Sequence, residues 1–120
     1  MAKQTPTLNI LDLYKEYTKE TAVYPHVNTG DLQELAYVGL GLAGETGEAV
    51  DVIKKILRNE GMTDAYRNRL IDELGDVLWY WTRLTMVLNT SSEEIIKRNV
   101  EKLLQRKDKG TLINRDTKFA

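Results

Sequence analysis

The sequence predicts an all-α protein, an antiparallel four-helix bundle, and three observations support that fold class. Apolar residues recur at helical spacing along nearly the whole chain, and the valine-rich alternation of strands is absent. Capping residues and glycines mark the ends of the apolar segments. Short turns join these segments, which favours antiparallel neighbours. One domain is expected over residues 1–120, with a core at about 7–108 and a loose polar tail at about 111–120.

The first two predicted helices flank a turn-rich stretch at residues 23–30. The first helix is predicted from about Thr7 to Thr21, where apolar residues form one stripe. The second begins near Asp31, which forms a capping-box-like pair with Glu34, and extends to about residue 59. Four glycines weaken this helix, so a break near Gly41 is an open alternative.

The third and fourth helices are bounded by similar signals. Thr63 or Asp64 caps the third helix, which is predicted to end near Asn89. Ser91 opens the fourth helix, and Gly110 closes it.

Composition narrows the classes of partner and compartment. The 17 basic and 18 acidic residues provide no general attraction to nucleic acid or to anionic membranes. The chain contains no cysteine, which excludes disulfides and zinc–thiolate sites. No apolar run approaches the roughly 18 residues that span a bilayer, and the N-terminus lacks a signal-peptide segment. We therefore expect a cytoplasmic protein with neither a nucleic-acid partner nor a membrane partner.

One acidic motif occurs twice, as GETGEAV and again as DELGDVL. Glu45 and Glu48 are three residues apart, as are Glu73 and Asp76, so each pair shares one face of its helix. On helical wheels, the first glutamate of each pair falls within the apolar stripe and the second acid flanks it. The two helices are therefore predicted to present matching acidic edges toward the bundle interior.

Four converging carboxylates predict a metal site, because desolvation and mutual repulsion oppose their ionisation. Ligation by oxygen alone favours Mg²⁺, or Mn²⁺, over zinc. A di-iron site requires Glu-x-x-His on two helices, and the one histidine, His26, lies in a predicted turn. Gly47 and Gly75 remove a side chain beside each acid pair, which allows an ion or ligand to approach. The alternative is a solvated acidic edge, which the repetition of the whole motif disfavours.

The residues around the acids resemble a known family. The segments GLAGETGEAVDVIKKILR, DELGDVLWY and NVEKLLQRKDKG are similar to the MazG-like all-α nucleoside triphosphate pyrophosphohydrolases, over about residues 9–110. This resemblance implies a four-helix core assembled as a homo-oligomer, a dimer or tetramer. It also implies that Mg²⁺ is bound and that the α–β bond of (d)NTPs is cleaved to (d)NMP and pyrophosphate. The implied metal ligands are Glu45, Glu48, Glu73 and Asp76.

Such an activity would use a water molecule activated by the metal. Glu45 or Glu48 is the predicted catalytic base, and the sequence does not choose between them. Substrate phosphates are expected to contact five further residues, Lys55, Tyr80, Asn99, Lys102 and Arg106. Surface charge is the alternative for Lys55 and Arg106, and core packing is the alternative for Tyr80.

Base recognition and assembly are less well specified. Five residues are available to contact a base, although structural roles explain each of them better: Tyr14, Tyr17, Tyr24, His26 and Asn28. Leu40 and Trp79 fall outside the core stripes of their helices, which predicts a second buried surface in an oligomer.

Three narrower or different functions remain open at this point. A narrower specificity is one alternative, as in a dUTPase-like or dCTPase-like enzyme or a phosphoribosyl-ATP pyrophosphohydrolase. These enzymes share the helical fold that the resemblance implies, and the metal acids alone do not distinguish them. A helical-bundle binding protein that uses metal for stability, without turnover, is the alternative outside enzymes. The sequence leaves open the preferred base and sugar, the cleansing of aberrant nucleotides versus pool control, and a cellular versus a viral origin.

Overall fold

Four helices make up the fold in the computed structural model, which describes residues 9–59 and 61–112 and has no strand there. Their bounds are Ile10–Thr21 (α1), Leu32–Arg58 (α2), Asp64–Val87 (α3) and Ser92–Asp108 (α4). The predicted all-α class is confirmed. The chain forms two compact units, Met1–Asn89 with α1 to α3 and Thr90–Ala120 with α4.

The N-terminus of each helix is capped by a side chain that accepts a hydrogen bond from a backbone N–H two or three residues into the helix. The caps predicted at Asp31, Thr63 and Ser91 are confirmed. Asn9 is an additional cap, whose side-chain oxygen accepts from the Asp12 N–H at 2.9 Å. Because Asn9 occupies the cap position, α1 begins at Ile10, later than expected, and Thr7 lies outside the described residues.

α2 is one continuous helix, so the alternative of a break near Gly41 is wrong. Its buried face carries Val38, Ala49 and Val52, which are 0–6% exposed. This continuous apolar contact with α3 offsets the low helix propensity of the glycines.

α2 and α3 pack as an antiparallel hairpin. Near the connecting turn, Asn59 donates a hydrogen bond to the Tyr66 hydroxyl. Farther along, the Tyr80 ring packs against Gly41. Since the α2 residue number falls as the α3 residue number rises, acids near the middle of each helix are brought face to face.

A buried polar network lies where the α1–α2 loop meets the end of the hairpin. Arg83 and Glu34 are 1% and 2% exposed. The Glu34 carboxylate accepts from the Tyr24 hydroxyl at 2.6 Å and from the N–H groups of Asn28 and Gly30 at 2.8 and 2.9 Å. Arg83 donates to the Asn28 side-chain oxygen at 2.7 Å and to the Tyr24 hydroxyl at 3.1 Å. The network therefore ties the loop to both helices.

α1 packs on α3 through Thr18 and Trp79. Thr18 is fully buried beside Met86, and the Trp79 indole donates to the Thr21 hydroxyl at 2.8 Å. Trp79 therefore has a contact within the unit, and its half-buried ring leaves a role in an oligomer surface as a prediction. Leu40 is 74% exposed, as expected for a residue outside the core stripe.

The second unit contains α4. Gly110 ends the helix with a φ of 70°, in the left-handed region, and the following Thr111 N–H donates to the Arg106 carbonyl at 2.8 Å. The end of the predicted loose tail, residues 113–120, lies outside the described residues. Within the described ranges, the helices are too short or too polar to cross a membrane.

We predict that Glu34→Gln destabilises the protein by about 3 kcal/mol, because it leaves the Arg83 charge buried without its partner. Burial would raise the pKa of Glu34, but the hydrogen bonds from Tyr24, Gly30 and Asn28 outweigh it and lower the pKa. This contribution to stability is therefore present above about pH 4.5 and is lost as the pH falls through the lowered pKa.

Urea unfolding at several pH values measures the free energy of unfolding. Glu16→Gln, which removes an exposed ion pair with Lys19, is the matched control and is expected to have little effect. An equal cost for the two substitutions at pH 7 would contradict the structural role of the Glu34 charge.

Candidate metal centre

Three of the four predicted acids converge across the α2–α3 hairpin. One carboxylate oxygen from each of Glu45, Glu73 and Asp76 lies within 4.8 Å of the other two. Glu45 and Glu73 are half-buried, whereas Asp76 is exposed. Glu45 shares its face of α2 with the buried Ala49 and Val52, so the packing of that face holds its carboxylate toward α3.

Two oxygens of this cluster are buried without a hydrogen bond. They are Oε2 of Glu45 and Oε2 of Glu73, and neither accepts from a donor among the described residues. A buried acceptor without a partner costs about 1–3 kcal/mol, and a charged one costs more. A positive charge placed beside these two oxygens would therefore stabilise the cluster.

The electrostatics of the acids agree with their geometry. Burial raises the pKa of Glu45, and repulsion from Glu48, Asp76 and Glu73 raises it further. Burial also raises the pKa of Glu73, as do the charges of Glu48 and Asp76, against an opposing effect of Arg69. Each carboxylate is thus harder to ionise because the others are present.

These residues fit a hard divalent cation. The donor set consists of carboxylate oxygens alone, which suits Mg²⁺ or Mn²⁺. A cation would partner the two buried oxygens and relieve the repulsion that raises the pKa values. A Cβ added at Gly47 or Gly75 would meet no other atom within 4 Å, so space remains beside both acid pairs.

Glu48, the fourth predicted ligand, lies at the edge of the cluster. Its side chain is exposed and is not part of the three-acid group. It lies close enough to Glu45 and Glu73 to raise the pKa of both. Its part in metal binding remains a prediction.

Tyr80, a predicted substrate-contacting residue, lies close enough to Glu45 and Asp76 to feel their charges. Burial raises the pKa of its hydroxyl, and the charges of Tyr37, Glu45 and Asp76 add to this effect. Its half-buried ring packs against Gly41 of α2 and against the edge of Trp79. The side chain therefore has both a packing contact and a polar end near the cluster.

The other four predicted phosphate contacts are not brought to the acids by any described interaction. Lys55 forms an ion pair with Asp51 at 3.0 Å. On α4, in the second unit, Asn99 and Lys102 are exposed and Arg106 is half-buried. Their contact with phosphate remains a prediction.

Several of the aromatic and loop residues considered for base recognition make structural contacts. Tyr24 is buried in the Arg83 network, and the exposed His26 places Nδ1 3.4 Å from Asp31. Tyr14 is half-buried on α1, where burial and the Asp76 charge raise its pKa. Asn28 contacts Arg83 and lines a pocket of about 380 Å³, and none of the four predicted metal ligands lines that pocket.

The protein with this helical fold and acidic cluster can now be assigned to a family. A sequence profile of the MazG nucleotide pyrophosphohydrolase domain matches residues 33–111, and the chain belongs to that family. The chain is also 39% identical over 105 residues to the Gene 37 protein of Mycobacterium phage L5, covering 85% of this chain and 92% of that protein. The name of that phage protein states no activity. No solved structure matches the chain.

Two features of the site were missed by sequence reasoning. The first is the packing of the Tyr80 ring on Gly41, which the sequence indicates only by a glycine inside a helix. The second is the buried pair of Glu34 and Arg83, because Glu34 was interpreted as a capping residue alone. Neither partner could be identified from the helical spacing of one segment.

We predict that Glu45→Gln raises the melting temperature of the metal-free protein, because it removes one of several repelling charges. The same substitution should reduce the increase in melting temperature caused by Mg²⁺ or Mn²⁺, because a ligand charge is lost. Thermal unfolding with and without each ion measures both effects.

Asp72→Asn is the matched control, since Asp72 is an exposed acid next to Glu73 but outside the cluster. It should leave the ion-dependent stabilisation nearly unchanged. If both variants lose that stabilisation equally, the ions respond to overall negative charge and not to this site.

Proposed function

We propose that the protein is a Mg²⁺-dependent nucleoside triphosphate pyrophosphohydrolase. It cleaves the α–β phosphoanhydride of (d)NTPs with water and releases (d)NMP and pyrophosphate. One observation carries this proposal: the cluster of Glu45, Glu73 and Asp76, with two buried oxygens that lack partners, in a member of a nucleotide pyrophosphohydrolase family.

Glu45, Glu73 and Asp76 would hold the ion, and Glu48, the fourth acid of the motif, lies beside them. Bound there, a divalent cation supplies the positive charge and Lewis acidity that a polyphosphate needs in an acidic pocket. Without that charge, the cluster would repel a nucleotide. The acids therefore bind substrate only together with the ion.

Glu48 is the better placed of the two candidate bases. Glu45 contributes an oxygen to the three-acid group, whereas Glu48 lies beside that group and is exposed to solvent. A carboxylate that is free of the ion can accept the proton of the attacking water. We therefore assign proton transfer to Glu48, and the binding of the ion to Glu45 and its two partners on α3.

The remaining side chains would bind the phosphate chain. The Tyr80 hydroxyl is a candidate for binding phosphate because it lies near Glu45 and Asp76. Lys55, Asn99, Lys102 and Arg106 are further candidates, because cations and amides complement phosphate oxygens.

Assembly into a dimer or tetramer is part of the same proposal. Leu32, Leu40 and Leu57 of α2 are 74–80% exposed, which is costly for large apolar side chains in a single chain. A homo-oligomer in the cytoplasm would bury them.

The test is pyrophosphate release from a panel of canonical and damaged (d)NTPs, with and without Mg²⁺. We predict Mg²⁺-dependent release that Glu48→Gln lowers by at least about 100-fold, the usual contribution of general acid–base catalysis. Because Glu48→Gln removes a base and spares the three-acid group, it should retain most of the ion-dependent stabilisation. Asp72→Asn serves again as the control with near-normal turnover.

The outcomes separate the competing functions. Strong preference for dUTP, dCTP or phosphoribosyl-ATP would identify a narrow-specificity enzyme. If no substrate in the panel is cleaved while Mg²⁺ still stabilises the fold, the cluster serves binding or stability and the proposed hydrolysis is wrong.

A further inference from the structure

Gly41 differs from the other glycines of α2 in what faces its α-carbon. A Cβ added there would lie 2.6 Å from Cζ of Tyr80 and closer still to two other ring atoms. At Gly39, Gly44 and Gly47, an added Cβ would meet no atom within 4 Å. The Tyr80 ring thus occupies the space that a side chain at position 41 would need.

The ring is also confined from α3. The Trp79 ring meets the Tyr80 ring at 5.0 Å with an interplanar angle of 80°. Trp79 is itself fixed by a hydrogen bond to Thr21 and by an edge contact with Tyr24. The Tyr80 ring therefore contacts both the α2 backbone and an anchored indole.

Tyr80 and Gly41 both lie close to the acids along their helices. Tyr80 lies seven residues after Glu73 and four after Asp76, so all three share one face of α3. Gly41 lies four residues before Glu45, one turn along the facing helix. The contact between Gly41 and Tyr80 is thus one turn from the acids on both helices.

We propose that Gly41 is a positioning residue for this site. Because it has no side chain, the Tyr80 ring packs directly on the α2 backbone, and this position allows the hydroxyl to donate to a phosphate oxygen of the bound nucleotide. The identity of the ligand rests on the proposed function, whereas the packing of the Tyr80 ring on Gly41 does not. Any side chain at position 41 would force the ring to move by about an ångström or more to reach ordinary van der Waals distance.

Thermal unfolding without substrate tests whether the Tyr80 ring packs on Gly41. Gly39→Ala, which adds a methyl group to open space in the same helix, should raise the melting temperature, because alanine favours helix more than glycine. Gly41→Ala should lower the melting temperature. In a Tyr80→Ala background, however, the same Gly41→Ala change should raise it, since the obstructing ring is gone.

Kinetics test the positioning. Gly41→Ala and Tyr80→Phe should each lower kcat/KM for the preferred nucleotide about tenfold, which is the size of one hydrogen bond to a charged group. Added to Tyr80→Phe, Gly41→Ala should cause no further loss, because the hydroxyl to be positioned is absent. Mn²⁺ affinity should change less than about twofold in both variants, since the acids are intact. Gly39→Ala should keep normal kinetics.

Two results would overturn the proposal. A higher melting temperature for Gly41→Ala in the wild-type background would mean that the ring is not seated there. Full activity of Gly41→Ala, or losses that multiply with Tyr80→Phe, would mean that Gly41 does not act through the hydroxyl.

Failure of the proposed hydrolysis would be distinguishable. If the wild type cleaves no nucleotide, calorimetry with an α,β-methylene nucleotide and Mn²⁺ replaces the kinetic measurement. About tenfold weaker binding to Gly41→Ala and to Tyr80→Phe would then support the positioning role although the enzyme function is wrong. Unchanged binding would contradict that role.

Discussion

The repulsion between carboxylates across the α2–α3 hairpin is the constraint on which the rest of the structure depends. Oxygens of Glu45, Glu73 and Asp76 lie within 4.8 Å of one another, and burial together with repulsion raises the pKa of both glutamates. Such an arrangement opposes folding unless other contacts hold the helices together. The buried Val38 and Val52 supply part of that support directly on α2.

The rest of the support comes from one end of the hairpin. Arg83 and Glu34 bind the α1–α2 loop, and Tyr24 extends from that network to the aromatic residues. Its ring stacks on Tyr37 at 5.1 Å and meets the edge of Trp79 at 6.1 Å. Trp79 in turn contacts Tyr80, whose ring packs on Gly41, one turn before Glu45 on α2. These contacts hold α2 and α3 together close to the acids.

Sequence reasoning succeeded where one segment carried the whole signal. The caps at Asp31, Thr63 and Ser91 and the acidic faces of α2 and α3 follow from local spacing. It failed where the partner comes from another segment. A helical wheel placed Trp79 outside the stripe, but it could not show that α1 and the loop pack over that side.

The loop illustrates the same limit. His26 and Asn28 both adopt positive φ, at 62° and 63°, in a short stretch without regular structure. That backbone turns the N–H of Asn28 toward the Glu34 carboxylate at 2.8 Å. No period in the sequence predicts such a conformation, because the contacts that hold this loop come from Glu34 of α2 and Arg83 of α3.

The most direct test of the metal centre is anomalous diffraction from crystals grown with Mn²⁺. We predict a strong anomalous peak that lies about 2.1 Å from oxygens of Glu45, Glu73 and Asp76, which is a usual ligand distance for a small divalent ion. A peak elsewhere, or none at a Mn²⁺ concentration that stabilises the protein, would contradict it.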